Sequence, residues 1–206
     1  MEGSVVAVQN TRERIIEVAE QLLFQQGYSG TSLNDVMQAT QLTKGAFFHH
    51  FSNKQELAHT VLTRWADTDD ALVCEFAERA ADLADDPLQE AIIYIKLFEA
   101  WLGNLEVPSK GCLFASFTYE SERFDPDMHD YIRDRLRTWM GLYAGIFDRL
   151  AASREAAAPD ITGDSLTEML AAIFEGGLLL GRALNDRLFL VRQLQQFRGF
   201  LQLAYG

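Results

Sequence analysis

The chain has 206 residues, 48% of them hydrophobic and 23% charged, and carries a net charge of −12 at pH 7. That composition supplies a packed core and excludes a disordered or fibrous chain, while the acidity excludes nucleic-acid binding driven by bulk positive charge. Two cysteines, Cys74 and Cys112, lie far apart without metal-ligand spacing, which suggests a reducing compartment rather than a disulfide framework.

The N-terminus lacks a basic region and has only a four-residue apolar run, Val5 to Val8, so no secretory signal is read there. The longest apolar stretch, Leu170 to Leu184, is broken by Glu175 and Arg182 and is too short and too charged to span a bilayer. A soluble cytoplasmic protein, with no membrane partner, is the expectation. Charge is unevenly distributed. Residues 1–65 hold five Lys/Arg and six acids, a net of 5 − 6 = −1, and the remaining residues carry 13 − 24 = −11.

Strand signals are almost absent, and helical periodicity predicts an all-α chain of about nine helices. After a flexible N-terminus at 1–10, Ile15, Ile16, Ala19, Leu22 and Leu23 predict a first helix over 11–26, stopped by Gly27 as an αL cap. Thr31 or Ser32 caps a short second helix, with Asp35 three residues past Ser32 in a capping-box position. Gln41-Leu42 forms a turn. Thr43 caps a third helix that ends at Phe51, and Asn53 with Glu56 caps a long fourth helix to about Ala84. Asp86-Pro87 and Asp125-Pro126 each place a cap before a first-turn proline. Ser165 with Glu168 caps another helix, and Asn185-Asp186 separates the last two. Segments 104–110 and 156–163 read as loops.

Three short helices, the second and third joined by a tight turn, make a helix-turn-helix. The second helix of such a pair enters the DNA major groove with its N-terminal residues at the base edges. Here these are Thr43, Lys44, Gly45 and Ala46. Lys44 can bond guanine or a phosphate, Gly45 admits close backbone approach, and Ala46 offers a methyl to a thymine methyl. Phe47 and Phe51 should point into the small core. Phe48 and His49 should face the groove wall, where His49 can bond a phosphate. The helix starts at Thr31-Ser32 and at Lys54 are expected phosphate seats.

Residues 11–57 resemble the DNA-binding domain of the TetR family of one-component transcriptional regulators. The resemblance rests on Ile16, Ala19, Leu22 to Phe24, Gly27-Tyr28, Thr31-Ser32, Val36, Thr43 to Phe51, Lys54 and Leu57. The chain departs from the family pattern at Gln41, where glycine is usual in the turn, and at Phe48, where tyrosine is usual. The first places a non-glycine residue in a turn that wants αL geometry, and the second removes a phosphate hydrogen bond. The resemblance implies a palindromic DNA operator, a small-molecule effector, a homodimer, and a C-terminal ligand-binding and dimerisation domain over 58–206, with helix four spanning the junction. Leu170, Ile173, Gly177 and Gly181, with Leu194, Phe197 and Leu201 on the last helix, are the expected interface of a four-helix dimer bundle.

Phe98, Trp101, Cys112, Phe114, Phe117, Trp139, Tyr143 and Phe174 are candidate pocket residues, with Ser116, Tyr119, Glu120 and His129 as polar candidates. Gly111-Cys112-Leu113 resembles the corresponding segment of family members that include electrophile and oxidant sensors. Cys112 at a helix start is therefore either a thiol sensor or a small buried hydrophobe. Cys74 reads as core. The acids between Asp67 and Asp70 and between Glu120 and Asp134 read as solvated faces. His49 and His50, adjacent on a helix, point apart and predict no metal site. No nucleophile elbow, metal-spaced His/Glu pair or phosphate loop is present, so neither an enzyme nor a cofactor is expected.

Overall fold

The computed structural model describes residues 2–106, 109–120, 122 and 124–206, with the backbone alone for 2–9. The described residues form nine helices and no strand: α1 (Glu2–Gly30), α2 (Leu33–Thr40), α3 (Lys44–Phe48), α4 (Lys54–Leu83), α5 (Pro87–Gly103), α6 (Leu113–Tyr119), α7 (Pro126–Ser153), α8 (Gly163–Ala183) and α9 (Phe189–Tyr205). None is long and apolar enough to cross a membrane.

Two compact units result. The first comprises residues 1–67 together with 113–133, and the second comprises 68–112 and 134–206. This differs from the expected division at residue 57: α6 and the start of α7 fold with the N-terminal helices. In the first unit α1 packs on α2 and α6 around Ile15, Ile16, Ala19, Val36, Phe47, Phe51 and Val61, all at most 1% exposed. In the second unit α9 packs on α5 and α8 over a core that includes Tyr94, Ile95, Tyr143, Phe147, Leu170, Leu194 and Leu201.

Local chemistry sets most helix ends as expected. Ser32 caps α2 in a full capping box with Asp35, and Gln41 adopts the left-handed region at φ 58, ψ 32. Thr43 caps α3 through Ala46 N–H. Asp86 caps α5 ahead of Pro87, and Asp125 accepts from Met128 N–H at 2.9 Å. Four expectations shift. The N-terminal segment is helical from Glu2, since neither glycine nor proline interrupts residues 4–26. Helix α3 stops at Phe48. The N-cap of α8 is Thr162, with Ser165 as its reciprocal partner at the third position. At α4, Asn53 accepts from Glu56 N–H, but the Glu56 carboxylate turns to Ser52 N–H.

The bend in α1 lies at Gly27, with φ 73 and ψ 177. A Cβ there would sit 2.5 Å from Glu120 Oε1, so both the backbone angle and the approach of Glu120 require glycine.

Candidate functional site: a recognition helix and an aromatic–acidic cluster

Helix α3 is sorted by its own periodicity. Phe47 is 0% exposed and packs edge-on against Phe48 and tilted against Phe51, ring centroids 5.5 and 6.1 Å away. The helix is thereby pinned by one ring whose burial contributes roughly 1.5–3 kcal/mol. Thr43, Lys44, Gly45, Ala46, Phe48 and His49 are all exposed. A Cβ on Gly45 would meet nothing within 4 Å, so nothing inside the unit requires glycine there. Lys44 Nζ lies 5.9 Å from the Phe48 ring centroid, near the outer limit of a cation–π contact.

The flanking phosphate seats are less open than expected. Thr31 is 4% exposed; its hydroxyl donates to Gly27 O at 2.8 Å and its N–H to Tyr28 O. Its role is to close the turn after the bend, and it is removed from the set of DNA contacts. Ser32 is exposed, but its N–H and hydroxyl both donate to Asp35 Oδ2 at 2.7 Å. The Lys54 ammonium sits 4.0 Å from the Tyr28 ring centroid, and its charge acts on Asp35 and Glu120.

Glu120, a ligand-orienting candidate in the sequence, has a different place. Tyr28 N–H and Ser29 N–H each donate to its carboxylate at 2.7 Å. The Tyr28 ring also packs at a tilt against Phe124 and Phe117, centroids 4.6 and 5.6 Å away. The end of α6 is thus fastened to the segment just before the helix-turn-helix. Desolvation pulls the Glu120 carboxyl upward, but the hydrogen bonds from Ser29 and Tyr28 and the Lys54 charge outweigh it, and the net shift is down. Glu120→Ala is expected to cost roughly 1–2 kcal/mol of stability at neutral pH, because the two charge-assisted bonds are partly solvent-screened. A carboxyl lowered on folding stabilises above its unfolded value and loses that contribution as pH falls through its folded value. The gap between wild-type and variant melting curves should therefore close in acid.

The pocket candidates divide. Phe114 and Phe117 belong to the first unit, where Phe114 packs on Trp65 at 5.6 Å. Trp101 is 40% exposed on α5 and is withdrawn as pocket lining. Tyr119 is likewise exposed. The remaining five, Phe98, Cys112, Trp139, Tyr143 and Phe174, lie in the second unit, and the four rings among them cohere. Trp139 meets Tyr143 at 5.2 Å and Phe174 at 5.9 Å, Phe174 meets Phe98 at 5.0 Å, and Tyr94 meets Phe98 at 5.2 Å and Tyr143 at 6.2 Å.

Two carboxylates join these rings. Burial first, then the Asp70 and Glu175 charges, raise Asp69 to about 6, partly offset by the Trp139 N–H. Trp139 Nε1 is buried and makes no hydrogen bond of full geometry, and the same holds for the phenol oxygens of Tyr94 and Tyr143. Burial also raises Glu175, against a hydrogen bond from Cys112, and raises both phenols, with Glu175 adding to the Tyr143 shift. Asp69 is thus not the solvated acid that its acidic run predicts. Cys112 stands just before α6 beside a carboxylate, whereas reactive thiolates have electropositive surroundings. The sequence reading missed Asp69, Tyr94 and Glu175 as a group. The one available signal was Glu175 interrupting an apolar helix face.

The expected dimer residues need correction. Leu170, Leu194, Phe197 and Leu201 are at most 1% exposed within the single chain. Gly177 and Gly181 serve the packing of α8 on the start of α9: a Cβ on Gly177 would lie 2.5 Å from Leu190 Cδ1, and one on Gly181 3.1 Å from Asp186 O. Ile173 is half-buried against the same core. The outer face of α8 carries Met169, Ala172, Gly176, Leu179 and Ala183, at successive spacings of three or four residues, and all but the half-buried Gly176 are exposed.

An all-helical chain with a capped helix-turn-helix and a second, larger helical unit holding an aromatic–acidic cluster has the architecture of a helix-turn-helix regulator. Two family profiles match it: "Bacterial regulatory proteins, tetR family" over residues 15–61 and "Tetracyclin repressor-like, C-terminal domain" over 95–197. The chain belongs to the TetR family of transcriptional regulators. An HTH-type transcriptional regulator of Bacillus subtilis (strain 168) is 24% identical over 86% of this chain and 88% of its own length. One from Lactococcus lactis subsp. lactis is 40% identical, but over only 28% of this chain and 30% of that protein. The solved TetR-family regulator from Agrobacterium tumefaciens shares the fold, with a TM-score of 0.77 at 20% identity, covering 97% of this chain and 100% of that one.

Proposed function

We propose that the chain represses transcription by holding a palindromic operator as a homodimer, and that a small molecule bound in the second unit releases it. The observation that carries this is the face of α3. Glycine, a methyl, a hydroxyl and one lysine stand exposed around a fully buried Phe47, and Gly45 has no role inside the fold. Thr43, Lys44, Gly45, Ala46, Phe48 and His49 are the proposed DNA contacts. Lys54 supports them from the start of α4, and Ser32 contributes less than its position suggests.

A path along the chain supports this reading. Cys112 hydrogen-bonds Glu175 in the second unit, the next residue begins α6, and Glu120, just past the far end of α6, accepts from Tyr28 and Ser29. An effector that displaces Glu175 would pull on α6 and shift the helix-turn-helix, with a coupling of about 1–3 kcal/mol typical of such linkage. Effector release is preferred over a thiol switch because the neighbour of Cys112 is a carboxylate, Glu175, whereas reactive thiolates have electropositive surroundings.

Dimerisation is assigned to the outer face of α8. Gly176→Arg is expected to leave the monomer folded, since a Cβ there meets nothing within 4 Å, and to split the dimer by burying an unpaired charge at its centre. Light scattering after size exclusion reads the mass directly.

Operator binding tests the whole reading. Lys44→Ala should weaken binding to the selected operator by about 1–3 kcal/mol without loss of helicity. Binding equal to wild type by that variant, measured by fluorescence anisotropy, would place recognition elsewhere.

A further inference from the structure

Four helices of the second unit bring Asp69 (α4), Tyr94 (α5), Trp139 and Tyr143 (α7) and Glu175 (α8) into one cluster. Its physical anchors are the ring contacts along Trp139, Tyr143 and Tyr94 and the burial of both tyrosines, each 0% exposed. Neither Asp69 nor Glu175 takes part in an ion pair among the described residues; Arg135, on α7, is paired with Asp70 at 2.5 Å. The Tyr94 and Tyr143 hydroxyls and the Trp139 N–H find no partner of full geometry.

Such an arrangement opposes stability. Each unsatisfied buried polar group costs on the order of 1–3 kcal/mol, and unpaired acids in low dielectric add to that. Groups held this way mark a place where something else binds.

We propose that this cluster is the effector site and that its effector is an organic cation, an amine or quaternary ammonium on an apolar body. The proposal rests on the reading of the chain as a ligand-released regulator and names the chemistry of that ligand. Two carboxylates supply the opposite charge. Ring faces of Trp139 and Tyr143 attract a cation through their quadrupoles, and the buried phenols offer hydrogen bonds to an N–H. An anionic ligand would bring a third negative charge to the two acids, and a neutral one would leave both unpaired.

The test uses the full-length protein at neutral pH with three probes of similar shape: benzyltrimethylammonium, its neutral isostere neopentylbenzene, and phenylacetate. The cation alone should raise the melting temperature and give a calorimetric binding isotherm. Asp69→Asn and Glu175→Gln should each weaken it by about tenfold or more, while both variants still bind operator and so are folded. Affinity should also fall as pH drops below about 6, where Asp69 takes up a proton. The charged groups acting on Asp69 are Asp70 from its own helix and Glu175; Asp69 in turn acts on Tyr94, which Tyr143 and Cys74 also face, and Glu175 faces Tyr143 and Cys112. Absence of a shift with millimolar cation, equal binding of either other probe, or unchanged affinity in both variants would overturn the cation assignment. Operator release by neopentylbenzene or phenylacetate would overturn it too, yet leave ligand-released repression standing. Cation binding that is lost in both variants but does not loosen the operator would uphold the site and overturn the release reading.

Discussion

Gly45→Leu is expected to cost operator affinity about a hundredfold or more, equivalent to roughly 2.7 kcal/mol, with no loss of thermal stability. Gly45 is in the first turn of α3, exposed, with no atom within 4 Å of where its Cβ would be. Within the protein a leucine there fits, and replacing glycine inside a helix raises helix propensity by up to ~1 kcal/mol. Against DNA the same side chain would occupy the space that the backbone needs to approach the base edges. Binding and folding should therefore move in opposite directions, which loss of structure cannot imitate. Melting by circular dichroism beside anisotropy on the operator separates the two.

The second large effect is on stability. Asp69→Asn should stabilise the ligand-free protein at neutral pH by on the order of 2–3 kcal/mol at most, less where relaxation has already eased the acid. The sign follows from the folded state raising Asp69 from the model-compound value of 3.8 to about 6. The folded protein holds that proton more tightly than the unfolded chain does, so wild-type stability is undiminished below the unfolded value. It declines as pH rises from about 4 to about 6 and stays lower above. Asparagine does not titrate, so the two proteins should melt together near the low end of that window and diverge through it. Denaturant melts at a series of pH values check this; a wild type as stable as the variant at neutral pH would show that Asp69 bears no penalty. A stabilised protein that no longer answers its effector is the trade expected where a site is held in strained electrostatics.

What was legible in the sequence was local. Ser32, Thr43, Asp86 and Asp125 announced helix starts because a cap needs only the backbone within a turn. Gln41 was expected in a left-handed turn through the resemblance alone, because the family usually has glycine there, and it adopts that geometry. Phe47 and Phe51, four apart, shared a buried face. What escaped depended on partners far along the chain. Periodicity tells which residues share a side of α8, not what covers that side, so Leu170 and Gly177 were read as a dimer face when α9 and the core of the same chain already cover them. Glu120 looked like one acid in a solvated run until the bend at Gly27 turned two amides towards it. Asp69 lay beside Asp70 in another acidic run, and only the meeting of α4, α5, α7 and α8 separates the acid paired with Arg135 from the desolvated one. Thr31 was assigned to DNA from its place before a helix, yet its hydroxyl closes the turn behind it.

The central claim is specific operator recognition by a dimer through α3, and the most direct measurement is selection from a random duplex library with the purified protein at low salt, since an acidic chain should lose non-specific binding quickly as salt rises. The account predicts enrichment of a palindrome whose half-sites lie about 34–36 Å apart, one helical turn, or a multiple of it, with Gly45→Leu enriching nothing. Failure to enrich any palindrome, or the same palindrome recovered equally well by Gly45→Leu, would contradict it.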